Sequence, residues 1–406
     1  MEVIRFGLLV MLVVILPFNL TTNFIVLPLL SLFLLIIANR TNLSFRIFRV
    51  SEKALWLCAI FLIHLLWFAP YIFKTWSFSY VEKSLPFLLF PLMISSTSLE
   101  KEKISVLARF FVWAVLVSYI FSLLAAIYHY FYSVPRWGRA TDFFFHEQFT
   151  EGLFRIHPTY YSLMGSLATL FAFYFFHKRI RYVIILVLSI FILLIDARIT
   201  VVVQVLLVAW LFLKDLYTGI TLRKIAVVTV ALVLIGLGIN MTSSIYDYPH
   251  RRLVVNLNTM WERSYALDIN DGDGGIVVRM AIWRSAFEVI KHNYLAGVGL
   301  GYEKEYLANE YSKNNISFLV ENRFNAHNQL LSYLISMGLI GVLLLTLWWW
   351  PCLRDAIQGR SLKYFEFFAI IIMVGLTESL FTRVTGVAIF SFFNSLLVLK
   401  VLNNDK

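Results

Sequence analysis

Long apolar segments separated by short polar connections occupy most of this chain. A helix needs about 20 apolar residues to cross the hydrocarbon of a bilayer. The pattern therefore predicts an all-α fold, a polytopic membrane helix bundle of about twelve transmembrane helices, with residues 1–406 forming a single membrane domain. The predicted helices lie near residues 6–19, 24–38, 54–73, 84–98, 104–131, 158–176, 181–195, 199–214, 224–242, 328–350, 364–378 and 384–400.

The apolar pattern is interrupted once over a long distance, and this interruption predicts one large loop, residues 243–327, between the ninth and tenth helices. Within the loop, the segment Val277–Ile290 has helical spacing, with Arg279 and Trp283 four residues apart on one face. Its apolar side predicts an amphipathic helix that lies over the membrane or caps the bundle. The cluster Gly297-Val-Gly-Leu-Gly301 predicts tight turns that approach a ligand or another helix.

The composition excludes a water-soluble fold, because 60% of the residues are hydrophobic and the mean hydropathy is +0.77. The formal net charge of +11 would suggest nucleic acid in a soluble protein. Here we attribute much of it to the enrichment of Lys and Arg in cytoplasmic loops, and no nucleic-acid partner is expected. Only Cys58 and Cys352 are present, so neither a disulfide framework nor a thiolate metal site is expected.

The basic residues also predict an orientation in the membrane. If the N-terminus is cytoplasmic, every cytoplasmic connection is basic, which places both termini inside and the loop 243–327 outside. The residues of these connections are Arg40, Arg46, Arg49, Lys53, Lys101, Lys103, Lys178, Arg179, Arg181, Arg223, Lys224, Arg354, Arg360 and Lys363.

A second set of arginines falls on the outer side, where this bias disfavours them. They are Arg136, Arg139, Arg155, Arg198, Arg279, Arg284, Arg323 and Arg383. One interpretation is a set of solvated loop charges and lipid headgroup contacts. We favour an anionic ligand for the set as a whole, because arginine binds phosphate with two parallel hydrogen bonds and keeps its charge.

Four predicted helices enter the membrane from the outer side, and each begins at a basic or ionisable residue. His157 precedes Pro158 at the start of the sixth helix, and Arg198, His327 and Arg383 open the eighth, tenth and twelfth. Helix N-termini carry partial positive charge and unpaired N–H groups, which favour phosphate. We therefore predict that these helix ends form one anion site at the outer membrane surface.

His327 is the strongest candidate for chemistry. It could serve only as a polar cap, with Asn325 or Asn328 also able to close the helix start. It could instead act as a general base that deprotonates a hydroxyl. Glu378 could orient such a base or an acceptor, or pair with Arg383. No second histidine lies at metal-ligand spacing, so neither a metal nor a cofactor is expected.

These residues also resemble the motifs of a known family. Arg279 with Trp283 resembles an Arg-x-x-x-Trp element, and Gly297–Gly301 is similar to a glycine turn. The segment Ala326-His-Asn-Gln-Leu330, followed by Gly338 and Gly341, is similar to a His-Asn motif at a helix start with a spaced glycine pair. Arg198 resembles an arginine at the outer end of an earlier helix. The family is the O-antigen ligase family of bacterial membrane glycan transferases, which includes related polymerases and protein O-oligosaccharyltransferases.

The resemblance implies an inverting, metal-independent glycosyl transfer at the periplasmic face of the bacterial inner membrane. The donor would be a glycan on undecaprenyl diphosphate, and the acceptor a hydroxyl on lipid A-core, a growing glycan or a protein. Arg198 and Arg279 would hold the donor diphosphate, and His327 would activate the acceptor. His157, Trp283, Asn328 and Arg383 are the other residues expected to bind substrate.

Three functions remain open at this point. An O-antigen ligase that uses a lipid A-core acceptor is favoured, and a repeat-unit polymerase is the alternative within the same superfamily. A transporter or flippase of an anionic lipid-linked substrate is the alternative from another class. A transporter would tend to place charges at the bilayer midplane, whereas here they cluster at outer helix ends.

Overall fold

The computed structural model describes residues 2–19, 51–75, 78–133, 143–216, 276–358 and 361–401, together with a few positions between 25 and 33. Within these ranges every regular element is helical and no strand occurs. The predicted span 24–38 lies largely, and the span 224–242 wholly, outside the described residues, as does the loop segment 243–275.

Fifteen α-helices are described in these ranges, together with three short helical segments of other kinds. They are α1 Glu2–Ile15, α2 Glu52–Thr75, α3 Ser79–Ser84, α4 Pro86–Ser95, α5 Lys101–Tyr132, α6 His146–Glu151, α7 Pro158–Phe175, α8 Lys178–Ile195, α9 Arg198–Leu216, α10 Ile276–His292, α11 Glu303–Lys313, α12 Ser317–Asn322, α13 Gln329–Ile357, α14 Leu362–Gly375 and α15 Val384–Leu396.

Each predicted span in the described ranges contains helix, although most ends differ by a few residues, and the tenth span extends to Ile357 rather than residue 350. The span 84–98 is divided at Leu85, because Pro86 starts a new helix at a position where its missing N–H costs nothing. The span 364–378 ends at Gly375, which leaves Glu378 in the following loop. The helix expected over Val277–Ile290 is present as α10.

Three described helices, α2, α5 and α13, are long and apolar enough to cross a membrane, and Val384–Lys400 is a shorter apolar helix. The centre of the bundle is α7, whose side chains from Pro158 to Phe173 are all buried. Around it pack α5, α8, α9, α14 and α15. The total of twelve crossings remains a prediction.

Short connections make neighbouring helices antiparallel, so the bundle has two chemically different ends. At one end, which we call the basic end, α1, α5, α8 and α14 begin. Two charge pairs lie there, Arg181 with Asp215 at 2.8 Å and Lys214 with Glu366 at 3.4 Å. At the opposite end, which we call the site end, α7, α9, α13 and α15 begin.

The helix α13 is broken at Gly338, where φ is 63° and ψ is −168°. The break leaves backbone groups without partners inside the helix, and the turn that follows α10 supplies them. Val298 and Gly299 donate their N–H groups to the carbonyls of Ile335 and Ser336, both at 2.8 Å. Buried backbone groups need hydrogen-bond partners within the protein, so the turn and the broken helix depend on each other.

At the same junction, backbone N–H groups of α13 also donate hydrogen bonds to the turn. The N–H groups of Leu339 and Ile340 donate to the carbonyls of Tyr294 and Leu295, at 2.8 and 3.0 Å. Gly297 has a φ of 69°, and a Cβ there would lie 2.4 Å from the carbonyl carbon of Ser336. The glycine turn therefore approaches another helix, which is one of the two uses that its sequence predicts.

Candidate functional site

The candidate site is built around the start of α13. Asn328 is the N-cap, and its Oδ1 accepts the N–H of Leu331 at 3.0 Å while its Nδ2 donates to the carbonyl of Leu376 at 2.8 Å. The capping role considered for His327 therefore belongs to Asn328. His327 precedes the cap with a left-handed φ of 44°, and its N–H donates to Oδ1 of Asn325 at 3.2 Å.

The His327 ring faces the carboxylate of Glu378. Its Nδ1 lies 3.5 Å from Oε2 of Glu378, and the two side chains are 22% and 3% exposed. A substrate can therefore reach the imidazole but not the carboxylate. At 3.5 Å this contact is too long for a well-formed hydrogen bond. If it shortens when substrate binds, the carboxylate would favour the tautomer with the proton on Nδ1, which leaves the lone pair of Nε2 available as a base.

The pKa of the Glu378 carboxyl lies below its usual value. Burial is the largest single influence and acts to raise the pKa, but it is outweighed by the contact with His327, by the charge of Arg383 and by the charges that His157 and His327 carry when they are protonated. Three of the four residues predicted to open outer helices thus act electrostatically on one buried carboxylate.

Arg279 joins this group from α10. Burial lowers the pKa of its guanidinium, and the negative charge of Glu378 partly offsets that effect. Because an arginine remains charged even after such a shift, Arg279 brings a permanent positive charge to the neighbourhood of Glu378. The group around Glu378 therefore comes from four parts of the chain, namely the starts of α7, α13 and α15 and the body of α10.

The loop that carries Glu378 is tied to the neighbouring helices by hydrogen bonds. The N–H of Phe381 donates to Oε1 of Gln329 at 2.8 Å, and the Tyr160 hydroxyl on α7 donates to the carbonyl of Ser379 at 3.3 Å. These contacts fix the distance between the start of α13 and the loop after α14, and so fix the position of Glu378 relative to His327.

The segment behind His327 is held by two side chains from the large loop. Trp283 donates its indole N–H to the carbonyl of Ala326 at 3.0 Å, and Oε1 of Glu303 accepts the N–H of Ala326 at 2.9 Å. Glu303 also accepts a hydrogen bond from the Ser332 hydroxyl. Sequence analysis does not single out Glu303, because no spacing relates it to residues more than 20 positions away in the chain.

The remaining arginines predicted on the outer side have different positions. Arg198 is exposed at the first residue of α9, at the site end. Arg284 is buried on α10, whereas Arg155 and Arg323 are exposed. Arg136 and Arg139 lie outside the described residues. In the part of the chain that the structure describes, no group of three or more His, Cys, Asp or Glu side chains is placed to hold a metal ion.

The fold and the site together define an all-helical protein with apolar helices long enough to cross a membrane and a cluster of charged residues at one end of the bundle. Residues 164–346 match the family model described as O-antigen ligase. This match, over a little under half of the chain, supports membership of the O-antigen ligase family and indicates a membrane glycan enzyme of the ligase or polymerase type. Comparison with curated proteins gives no match.

Proposed function

We propose that this protein is an O-antigen ligase-like glycosyltransferase that moves a glycan from undecaprenyl diphosphate onto a hydroxyl acceptor, lipid A-core. The observation that carries the proposal is the pair His327–Glu378, in which an accessible imidazole faces a buried carboxylate whose charge also acts on Arg279. The family match supports the class of reaction, because it includes Arg279 and His327.

In the proposed step, Nε2 of His327 removes the proton of the acceptor hydroxyl. The oxygen attacks the anomeric carbon of the donor sugar from the face opposite the diphosphate, a C–O bond forms, and the bond to the diphosphate oxygen breaks. The electron pair leaves with the lipid diphosphate. Arg279, Arg383 and Arg198 are the cations that we assign to its developing charge, since arginine matches phosphate geometry. His157 is the N-cap of α7 and acts electrostatically on Glu378, and we assign it to the same binding region.

Two residues predicted to bind substrate are assigned differently on the basis of their contacts. Trp283 donates its ring N–H to the carbonyl of Ala326. The amide of Asn328 accepts the N–H of Leu331 and donates to the carbonyl of Leu376. The proposal therefore gives both residues the task of holding the start of α13. In the membrane, the proposal places both termini in the cytoplasm and the site end in the periplasm, at the inner (plasma) membrane.

The proposal is tested with the His327→Ala variant in a transfer assay with purified protein, a lipid diphosphate-linked glycan and the acceptor. We expect kcat to fall by about 10²–10⁴-fold, the usual contribution of a general base. His292→Ala is the matched control, because His292 is exposed at the end of α10, and it should transfer normally. Normal transfer by a folded His327→Ala protein would remove the proposed role.

Arg279→Ala tests the diphosphate assignment separately. We expect its donor KM to rise by about 10–100-fold, the equivalent of one lost hydrogen bond to a charged group. An unchanged donor KM would contradict the assignment.

The lipopolysaccharide of a deletion strain separates the ligase from the repeat-unit polymerase. Loss of all attached glycan supports a ligase, and retention of a single attached repeat supports a polymerase.

A further inference from the structure

Glu303 is a buried carboxylate that the proposed chemistry does not use. It is the first residue of α11 and is 7% exposed. Burial raises the pKa of this carboxyl, although the bonds from Ser332 and Ala326 and the charges of Lys304 and His327 act in the opposite direction. Burying an acidic group is costly, so its retention at this position calls for a use.

The contacts of Glu303 indicate that use. Its two oxygens accept hydrogen bonds from two points on the same segment, the N–H of Ala326 and the hydroxyl of Ser332. Trp283 binds the carbonyl of Ala326 from the other side. Both polar backbone groups of this fully buried residue are thus held by side chains, which come from α10 and α11.

The residue that follows Ala326 is His327, whose left-handed backbone costs about 1–2 kcal/mol for a residue with a Cβ. Strained backbone of this kind persists where the surroundings fix it, and it is found preferentially at functional sites. The bond from Trp283 acts on the Ala326–His327 peptide unit, and the bond to Glu303 acts on the Asn325–Ala326 unit before it. They therefore determine the direction in which the imidazole leaves the chain.

We infer that Glu303 and Trp283 form a clamp on Ala326 that orients the His327 ring, so that both are positioning residues of the transfer reaction. This inference rests on the proposed role of His327 as the base. The clamp acts through hydrogen-bond geometry rather than charge. It joins the large loop to the start of α13 and makes the base depend on the folding of that loop.

The geometry distinguishes three substitutions of Glu303. Alanine removes both acceptors. Aspartate keeps the charge but is one methylene shorter, so it cannot reach both Ala326 and Ser332. Glutamine keeps the length, since its Oε1 can accept the N–H of Ala326 and its amide can donate to the Ser332 oxygen. Glu305→Ala is the matched control, because Glu305 is exposed on the same helix.

The test measures kcat and donor KM of the purified full-length variants, with folding checked by size-exclusion profile and melting temperature. We expect Glu303→Ala to lower kcat at least 10-fold, with donor KM within 2-fold of wild type. The kcat of Glu303→Asp should lie between those of Glu303→Ala and wild type, and the kcat of Glu303→Gln should be within 3-fold of wild type. Glu305→Ala should match wild type. Trp283→Phe should lower kcat about 10-fold, and adding it to Glu303→Ala should reduce kcat by much less than the product of the two losses.

Several results would overturn the inference. They are a normal kcat in folded Glu303→Ala, a Glu303→Gln variant as slow as Glu303→Ala, and a change in donor KM alone. If Glu303→Ala does not fold, Trp283→Phe and Glu303→Gln decide the question, and a normal kcat in Trp283→Phe would overturn the inference. Transfer by His327→Ala would instead remove the proposed function itself. An inactive His327→Ala variant together with a normal kcat in the clamp variants would refute only the clamp and would leave the proposed function intact.

Discussion

The junction between the glycine turn and the broken helix α13 makes a sharp prediction for the Gly338→Ala variant. The φ of 63° and ψ of −168° at Gly338 fall in a region that is almost confined to glycine. A Cβ there would lie 2.3 Å from the carbonyl oxygen of Leu295 and 2.6 Å from the backbone nitrogen of Ala296. These neighbours are backbone atoms, so they cannot rotate away as a flexible side chain could.

The size of the effect follows from two contributions. Backbone strain costs of the order of 2 kcal/mol for a residue forced into this region. Moving the turn away would also break the bonds from Leu339 and Ile340 to Tyr294 and Leu295, at about 1 kcal/mol each. The sum is about 4 kcal/mol, a large fraction of the stability of an ordinary protein domain.

The assay is the melting temperature of the purified protein in detergent, for which we expect a decrease of about 5 °C. The matched control is Gly7→Ala, because Gly7 lies exposed on α1 and a Cβ there meets no atom within 4 Å. Its melting temperature should be unchanged or slightly higher, since alanine favours helix. If Gly338→Ala melts within about 1 °C of wild type, the account of the junction is wrong.

Two further predictions concern the buried charges. Replacing Glu378 by Gln should destabilise the protein by about 1.5–3 kcal/mol at neutral pH, the range for a contact with a charged group. The folded-state pKa of Glu378 is lowered. The stabilisation is therefore present above the ordinary carboxyl pKa and is lost as the pH falls through the folded-state pKa. The melting temperatures of wild type and variant should accordingly converge in acid. A difference that persists once the pH is below the folded-state pKa of Glu378 would contradict the assignment. Asp215→Asn should cost about 3–5 kcal/mol, because it leaves buried Arg181 without the partner at 2.8 Å. Glu288→Gln, which removes the partner of Lys291 in an exposed pair, should change the stability by less than about 1 kcal/mol and serves as the control. Equal melting temperatures for these two variants would refute the distinction between buried and exposed pairs.

Much of the local architecture could be predicted from the sequence. The apolar segments predict helices wherever the described residues allow a comparison, because about 20 consecutive apolar residues have few alternatives in lipid. Helical spacing within the large loop likewise predicts α10, and the glycine cluster predicts a tight turn that approaches another element. The predicted ends were less accurate. The span 364–378 ends at Gly375, and this changes the setting of Glu378 from a helix end to a loop.

The contacts of the candidate site depend on the tertiary structure. The sequence by itself determined the all-helical class, the family motifs and the position of His327 at a helix entry, since these follow from local patterns. The pairing of His327 with Glu378 joins residues about 50 positions apart, and the clamp joins Trp283 and Glu303 to Ala326. No periodicity encodes such distances along the chain. They are set by how α10, α11 and the loop after α14 pack against the start of α13, because only packing brings a buried carboxylate within reach of a particular imidazole.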